Sequence, residues 1–563
     1  MTSMRDRGRR ARRRPRSLVV LALLALATTA CTPPGLPAPI APTAASAAGS
    51  AQPSEPAVTI GVDGTVEGFN PHTIADYSLV DSAVSQLVLP SVSTVASDGS
   101  VQLNSDVVSK AEVTSTDPFT VTYTVDRNAA WSDGTPITGE DFSYLRDQML
   151  IQPGTVDPAG YRLISGIVSR DAGKTVQVTF THSVSDWKTL FSPLLPSHIL
   201  KDSPGGWTEG LATSLPVSGN RYKMQSYDTV TGEITLVRND KYWGAAPKPG
   251  TVIIRIGTSS ALIAALGRGD VQAVLLQPGE ADQRTLLARV PATRRAVVPL
   301  PGTQQLVFNT VRGPAADPNV RRAVAATLDV AALRSVLDGG NSALGQSSSS
   351  LVSLGGSAST QAPDRSAALS YLAAAGYHRE SVYMSKAGQI LRLTLTYAAN
   401  DARMAAAAAL VQTQLAAIGI EVDLIRDDQR AMVNSRLALG TADLGLLMVP
   451  RGPSDGLAVG SAFGCPVGTG SSGGVAGRNP VPRAGNLSGL CTTGIQALLD
   501  QASAGTVPAG LQSALATALP VIQISRPSAI FATSSRYGLA AGKSGPGWAF
   551  SGPLSTLPTW PAS

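Results

Sequence analysis

The sequence predicts an α/β chain of two lobes, with an extra antiparallel subdomain inserted in the first. Three observations carry that expectation. Strand and helix alternate over residues 252–276, they alternate again over 391–449, and ahead of both stretches two segments alternate apolar with polar side chains. Alternating strand and helix builds parallel sheet covered by helices, and each stretch can support its own core. A strict two-residue period marks a half-buried antiparallel strand.

The elements follow in chain order. Residues 1–16 carry eight arginines against the single acid Asp6, and residues 18–27 form a short apolar run. With the small residues Thr28, Thr29 and Ala30 behind them, this is the layout of a secretory signal peptide over 1–30. Ala27-Thr-Thr-Ala-Cys31 resembles a bacterial lipobox, whose cysteine is acylated and becomes the mature N-terminus; ordinary cleavage, with Cys31 a bystander, is the other reading. Residues 31–57 are rich in Pro, Ala and Ser with Glu55 as their single charge. They can bury no core and read as a lipidated, disordered tether.

The globular body begins near residue 58. A first lobe is expected over 58–300, with the inserted subdomain at about 96–215, where 119–125 and 175–180 supply the antiparallel strands. In its α/β part, 252–256 reads as strand, 259–266 as a helix stopped near Gly267 and Gly269, and 271–276 as the next strand. A second lobe is expected over 301–519. There Leu391, Leu393, Leu395 and Tyr397 alternate with Arg392, Thr394 and Thr396, and Asn400 or Asp401 can cap a helix running to Ile418. Gly419 ends that helix before a strand at 420–424; a further helix at 428–439 stops at Gly440 and returns to a strand at 443–449. The tracts at 339–363 and 450–489, rich in Gly and Ser, read as loops or insertions.

The formal net charge of +6 belongs to the leader: residues 1–16 sum to +7, which leaves −1 for the remainder. A near-neutral body argues against a nucleic-acid groove, which needs clustered Lys and Arg. Hydrophobic content of 43% excludes bulk disorder. The apolar run of residues 18–27 is far shorter than the roughly 20 residues a membrane-spanning helix needs. With Cys31 acylated, Cys465 and Cys491 remain in a compartment that permits disulfides, where they form a bridge or stay as two buried thiols.

Trp131-Ser-Asp-Gly-Thr-Pro-Ile-Thr-Gly-Glu-Asp-Phe142 resembles the W-S-D-G-x-P-x-T-x-x-D signature of family 5 extracellular solute-binding proteins, the peptide-binding receptors of ABC importers. Similar marks follow in the family's order: Pro196-Ser-His-Ile-Leu200, Val217-Ser-Gly-Asn-Arg-Tyr-Lys223, Arg238-Asn-Asp-Lys-Tyr-Trp-Gly244, Phe308-Asn-Thr310 and Val320-Arg-Arg-Ala-Val324. Gly68-Phe-Asn-Pro-His72, Gln152-Pro-Gly-Thr-Val-Asp-Pro-Ala-Gly-Tyr161 and the pair Cys465 and Cys491 are similar to an actinobacterial lipoprotein of the same family associated with phosphatidylinositol mannoside and lipoarabinomannan assembly.

The resemblance implies a two-lobed, class II-like periplasmic-binding-protein fold with mixed sheets, in which residues 520–563 return to the first lobe. It implies a monomeric binding protein and no enzyme, held on the extracytoplasmic face of the cell membrane by its lipid anchor. Its ligand is then a peptide-like or other polar small molecule, or a glycolipid, and its partner an ABC permease or a membrane-bound envelope enzyme. Peptide-binding members hold the ligand's α-amino group with an acid of the second lobe; Asp455, just past the last strand, is the nearest candidate, with Arg451 for an anionic group. Phe69, Asn70, His72 and Tyr77 follow the first strand and face the same cleft. Plainer readings stand beside these: Arg451 and Asp455 as solvated loop charges, and Trp131, Tyr242 and Trp243 as packing aromatics.

Other motifs lead nowhere. Gly452-Pro-Ser454-Asp-Gly456 satisfies G-x-S-x-G after a strand, but Pro453 and the glycine-rich run beyond offer no helix to complete a nucleophile elbow. Gly468, Gly470 and Gly473 spell G-x-G-x-x-G without a strand before or a helix after, and residues 538–544 fall one short of a P-loop. His72, His182, His198 and His378 show no metal-ligand spacing, and no cofactor or metal is expected.

Overall fold

The structure, a computed structural model, describes residues 57–340, 362–465, 483–537 and 547–561. Cys31, the leader, the tether up to residue 56 and the glycine motifs at 468–474 and 538–544 lie outside the described residues.

Two large mixed sheets organise the body. The seven-stranded sheet runs Arg295–Pro299, Ser528–Thr533, Ala273–Leu276, Ala57–Asp63, Thr251–Gly257, Glu233–Arg238, Tyr222–Asp228. Its middle is parallel, with Ala57–Asp63 lying between the two strands of the expected β-α-β unit. Thr258 caps the connecting helix Ser259–Arg268 by accepting from Ala261 N, and Gly269 ends it at φ +84°.

The five-stranded sheet runs Glu421–Asp427, Arg392–Ala398, Leu444–Pro450, Gly302–Phe308, Val521–Ser525. Of the two candidate caps it is Asp401 that works, accepting from Arg403 N and Met404 N, and the helix runs Ala402–Ala416. Both faces of the sheet are buried, because alternate residues enter different cores. Leu306 and Phe308 pack with Leu393 and Leu395, and Val307 packs with Leu447 and Val433. Val521–Ser525 is an edge strand here, so the chain rejoins the first sheet at Ser528, beyond the expected residue 520.

A four-stranded antiparallel sheet, Val108–Thr116, Phe119–Val125, Thr175–Phe180, Ile164–Arg170, lies within the expected insertion and contains both segments of two-residue period. The tract 450–489 differs from its expectation. It contains a helix, Asp455–Phe463, capped by Ser454. Its glycines do packing work: a Cβ on Gly456 would stand 2.2 Å from Ala502 O, so glycine lets this helix lie against Thr493–Ser503. The Cys465–Cys491 disulfide ties the end of the first helix to the start of the second.

Candidate functional site

Among the described residues the chain passes between the large sheets twice, through Leu300 and Pro301 and through Arg526 and Pro527. The two links lie side by side, Leu300 N donating to Pro527 O at 3.0 Å. Arg451 N donates to Pro301 O at 2.8 Å, which brings the end of strand Leu444–Pro450 to the first link. A cavity of about 630 Å³ opens there. The first lobe contributes His72, Tyr77, Asp81 and Tyr161, the second Arg451 and Gly452, and the C-terminal segment Trp548 and Phe550.

Contacts from both lobes hold this arrangement together. Asp76 is buried and meets Arg430 Nη2 at 2.8 Å, and the same guanidinium donates to Glu67 O. Gln429 Nε2 donates to Ile74 O and Tyr77 O, each at 3.1 Å. Asp157 Oδ1 accepts from Ser461 Oγ at 2.7 Å, and Ala159 N donates to that hydroxyl. Burial pushes the Asp76 carboxyl up to about 7 against the pull of Arg430, and the Asp157 carboxyl up to about 6 against Ser461 and Arg451.

The structure distributes the six candidate ligand residues unevenly. His72, Tyr77 and Arg451 line the cavity. His72 is buried, donates from Nε2 to Pro193 O at 2.8 Å and is held neutral by burial, its imidazole lowered to about 4. The Tyr77 hydroxyl is buried without a hydrogen-bond partner. Phe69 and Asn70 lie outside the lining and build the loop beneath: Phe69 packs edge-on against Tyr227, and Asn70 Nδ2 donates to Trp207 O. Asp455 also lies outside the lining, paired with Arg451 at 2.8 Å, and Arg451 spreads over the Phe550 ring at 5.4 Å.

Two lobes joined by paired links, with a cavity beside the links, is a geometry that suits a binding protein. Residues 102–468 match the bacterial extracellular solute-binding proteins, family 5 Middle. The chain belongs to this family. It is 33% identical over 447 residues, 73% of this chain and 70% of the other, to the "probable monoacyl phosphatidylinositol tetramannoside-binding protein LpqW" of Mycobacterium tuberculosis. It is 25% identical over 382 residues, 64% of this chain and 63% of the other, to the oligopeptide-binding protein OppA of Mycobacterium bovis. The oligopeptide-binding protein AppA of Bacillus subtilis, solved with a nonapeptide, superposes with a TM-score of 0.69 over 90% of this chain and 99% of that one, at 16% identity, which shows the shared two-lobed fold.

In this family 5 protein the signature residues bind one another. Asp133 of the W-S-D-G turn meets His198 Nε2 at 2.8 Å, and Asp141 accepts from Ser197 N and Ser197 Oγ, so the first and second motifs lock together. Trp131 is fully buried in the main core, and Tyr242 and Trp243 pack on each other and bond Asp106. Ser454 does sit between a strand and a helix, contrary to the expectation that no helix follows. Its hydroxyl, however, accepts from Leu457 N and donates to Asp186, while His72, His182, His198 and His378 bond Pro193, Thr181, Asp133 and Glu380. Among the described residues no group of His, Cys, Asp or Glu could hold a metal ion, and no helix is long and apolar enough to cross a membrane.

Sequence reasoning missed Asp81, Gln86 and Ser93, which line the cavity. The signal was present: in helix Leu79–Val88 the polar residues Asp81, Ser82, Ser85 and Gln86 form one stripe at helical spacing, and Asp81 and Ser85 are buried.

Proposed function

We propose that this protein is a lipid-anchored, extracytoplasmic receptor that captures a peptide-like or other polar solute and delivers it to an ABC permease. The carrying observation is the cavity beside the paired links, walled mostly by the first lobe and bounded on one side by residues 450–453 of the second, with polar groups set in a mainly apolar lining. Its volume falls in the range of about 300–1,000 Å³ usual for small-molecule sites. Ligand contacts made from both walls favour the closed arrangement, and a permease can read that shape. The test is a thermal-stability screen of the mature protein against peptide and glycan libraries. A ligand at 100 times its Kd should stabilise by about 2.7 kcal/mol, and no response across the libraries would overturn the reading.

A second reading is favoured by the 33% identity to LpqW, whose name specifies a tetramannoside lipid. In it the same cavity serves an accessory protein of envelope glycolipid assembly. Gene deletion separates the two: lost uptake of a defined solute supports the receptor, whereas an altered lipoglycan profile with intact uptake supports the accessory role.

A further inference from the structure

The first lobe is acidic as a whole: residues 57–299 carry 19 Lys and Arg against 24 Asp and Glu. The strand pairing sorts those charges to opposite ends of the seven-stranded sheet. Ala57, where the chain enters the body, stands beside Thr251, Thr251 beside Val237, and Arg238 beside Tyr222. On the other flank Ala273 stands beside Thr533, and Arg295 beside Ala532. One end of the sheet is therefore built from Ala57 with residues 221–223, 238–248, 267–271, 289–295 and 534–537, which hold ten Lys and Arg against Asp240 and Asp270. Asp63, Asp228, Glu233 and Glu280 lie at the opposite end.

The acids at the basic end are already engaged. Asp240 faces Lys223 at 3.8 Å, Asp270 bonds Arg268 at 2.8 Å, and Asp106, reaching in from a neighbouring segment, bonds Arg221 at 2.7 Å. Arg294 and Arg295 donate to the carbonyls of Thr533 and Leu287. Lys241, Lys248, Arg289 and Arg536 are exposed and have no acid beside them among the described residues. A helix C-terminus favours a cation, which accounts for Arg268 and Arg289, the last residues of their helices. It does not account for the two lysines between strands or for Arg536. Exposed like charges repel one another and add nothing to the fold, so their grouping on an acidic lobe points outward, to an anionic partner. At the usual spacing of neighbouring strands the end of a seven-stranded sheet is about 30 Å across. That breadth suits an extended anionic surface and is too great for one small anion.

We propose that this end of the seven-stranded sheet is a docking face for the anionic phospholipid surface of the membrane. The assignment rests on the reading of the protein as lipid-anchored. Cys31 precedes Ala57 by 26 residues, a span on the order of 30 Å for a flexible chain, so an acylated Cys31 keeps the face within reach of the bilayer. The two links to the second lobe leave from the opposite end, after Pro299 and before Ser528. A protein standing on the basic face therefore carries its second lobe away from the bilayer, where the lobes are free to open and close.

Vesicle co-sedimentation of the mature chain carrying Cys31→Ser, which removes any acyl group, measures the face without the anchor. The probes are vesicles of phosphatidylcholine alone and vesicles of phosphatidylcholine mixed equally with phosphatidylglycerol. The expected result is binding to the mixed vesicles at about 0.1 M salt, its loss at about 1 M, where the screening length falls to about 3 Å, and no binding to the neutral vesicles. Lys241→Ala, Arg289→Ala and Arg536→Ala together should weaken binding about fivefold for each cation removed. Arg365→Ala, Arg379→Ala and Arg426→Ala, which remove three exposed cations of the second lobe, should leave it unchanged. Equal partition onto both kinds of vesicle, no binding to either, or equal loss in the two triple variants would overturn the docking face. The anchor is read separately, by mass spectrometry of Cys31 in protein taken from its own membranes: an unmodified cysteine would overturn the lipid-anchored reading and leave the vesicle result to decide the face.

Discussion

At the scale of single residues, the loop after the first strand is built around one carboxylate. Asp76 accepts from Asn70 N and meets Arg430 from the other lobe, and Gly68 closes over it at φ +156°. A Cβ on Gly68 would stand 2.3 Å from the carboxyl, in a conformation that L side chains rarely adopt. Gly68→Ala should therefore cost more than about 2 kcal/mol in chemical denaturation; a loss below about 0.5 kcal/mol would show that the loop yields without strain. Above about pH 8, where Asp76 is ionised, Arg430→Met leaves a buried carboxylate without its counter-charge, at a cost of about 3 kcal/mol. In Asp76→Asn the same Arg430 change should cost much less, and a double-mutant cycle measures that coupling. None of this was legible from residue types, because Asp76 and Arg430 are 354 positions apart and only the fold brings them together.

At the scale of elements, sequence pattern worked where one face of a segment meets the core. The strands at 119–125 and 175–180 were readable because burial alternates along them as their apolar residues do, and the β-α-β units were readable from their order of strand, capped helix and strand. It failed at Asp455–Phe463, whose glycines resemble loop composition and in fact permit a close helix contact. Asp81 escaped for a related reason: a polar stripe on a short helix reads as a solvated face, whereas here it faces a cavity inside the protein. Two predictions belong to this region. Ser454→Ala removes the helix cap and should cost about 1 kcal/mol of stability, while any esterase activity, were it present, should be unaltered. Serine at Cys465 and Cys491 opens a link between residues 26 apart, worth about 3.5 kcal/mol by loop-closure entropy. The urea midpoint should fall and, because the effect acts through a less constrained unfolded chain, the m-value should rise with it; an unchanged midpoint would overturn the estimate.

At the scale of the whole molecule, the acids that join the lobes should make stability depend on pH in a defined direction. Asp76 titrates at about 7 in the folded protein and near 3.8 when unfolded. From about pH 4 to pH 7 the native state therefore holds a proton that the unfolded chain has released. The contribution of Asp76 is fully present below its unfolded value and is lost as pH rises through the folded one, with a slope of at most about 1.4 kcal/mol per pH unit. Asp157, raised to about 6, acts in the same sense over a narrower window. His72 acts in the opposite sense: lowered to about 4, it stays neutral while the unfolded imidazole takes up a proton below about 6.5, so its contribution grows as pH rises from 4. The raw pH profile of the protein mixes these signs, and the informative quantity is the difference from a variant. Relative to Asp76→Asn, the unsubstituted protein should lose stability steadily between pH 4 and pH 7 and hold a constant difference above about pH 8, as read from urea midpoints at fixed ionic strength. A difference that stays flat across that window would mean that Asp76 is ionised throughout and that Arg430 outweighs its burial. The contact between the lobes would then be a plain ion pair, sensitive to salt and indifferent to pH.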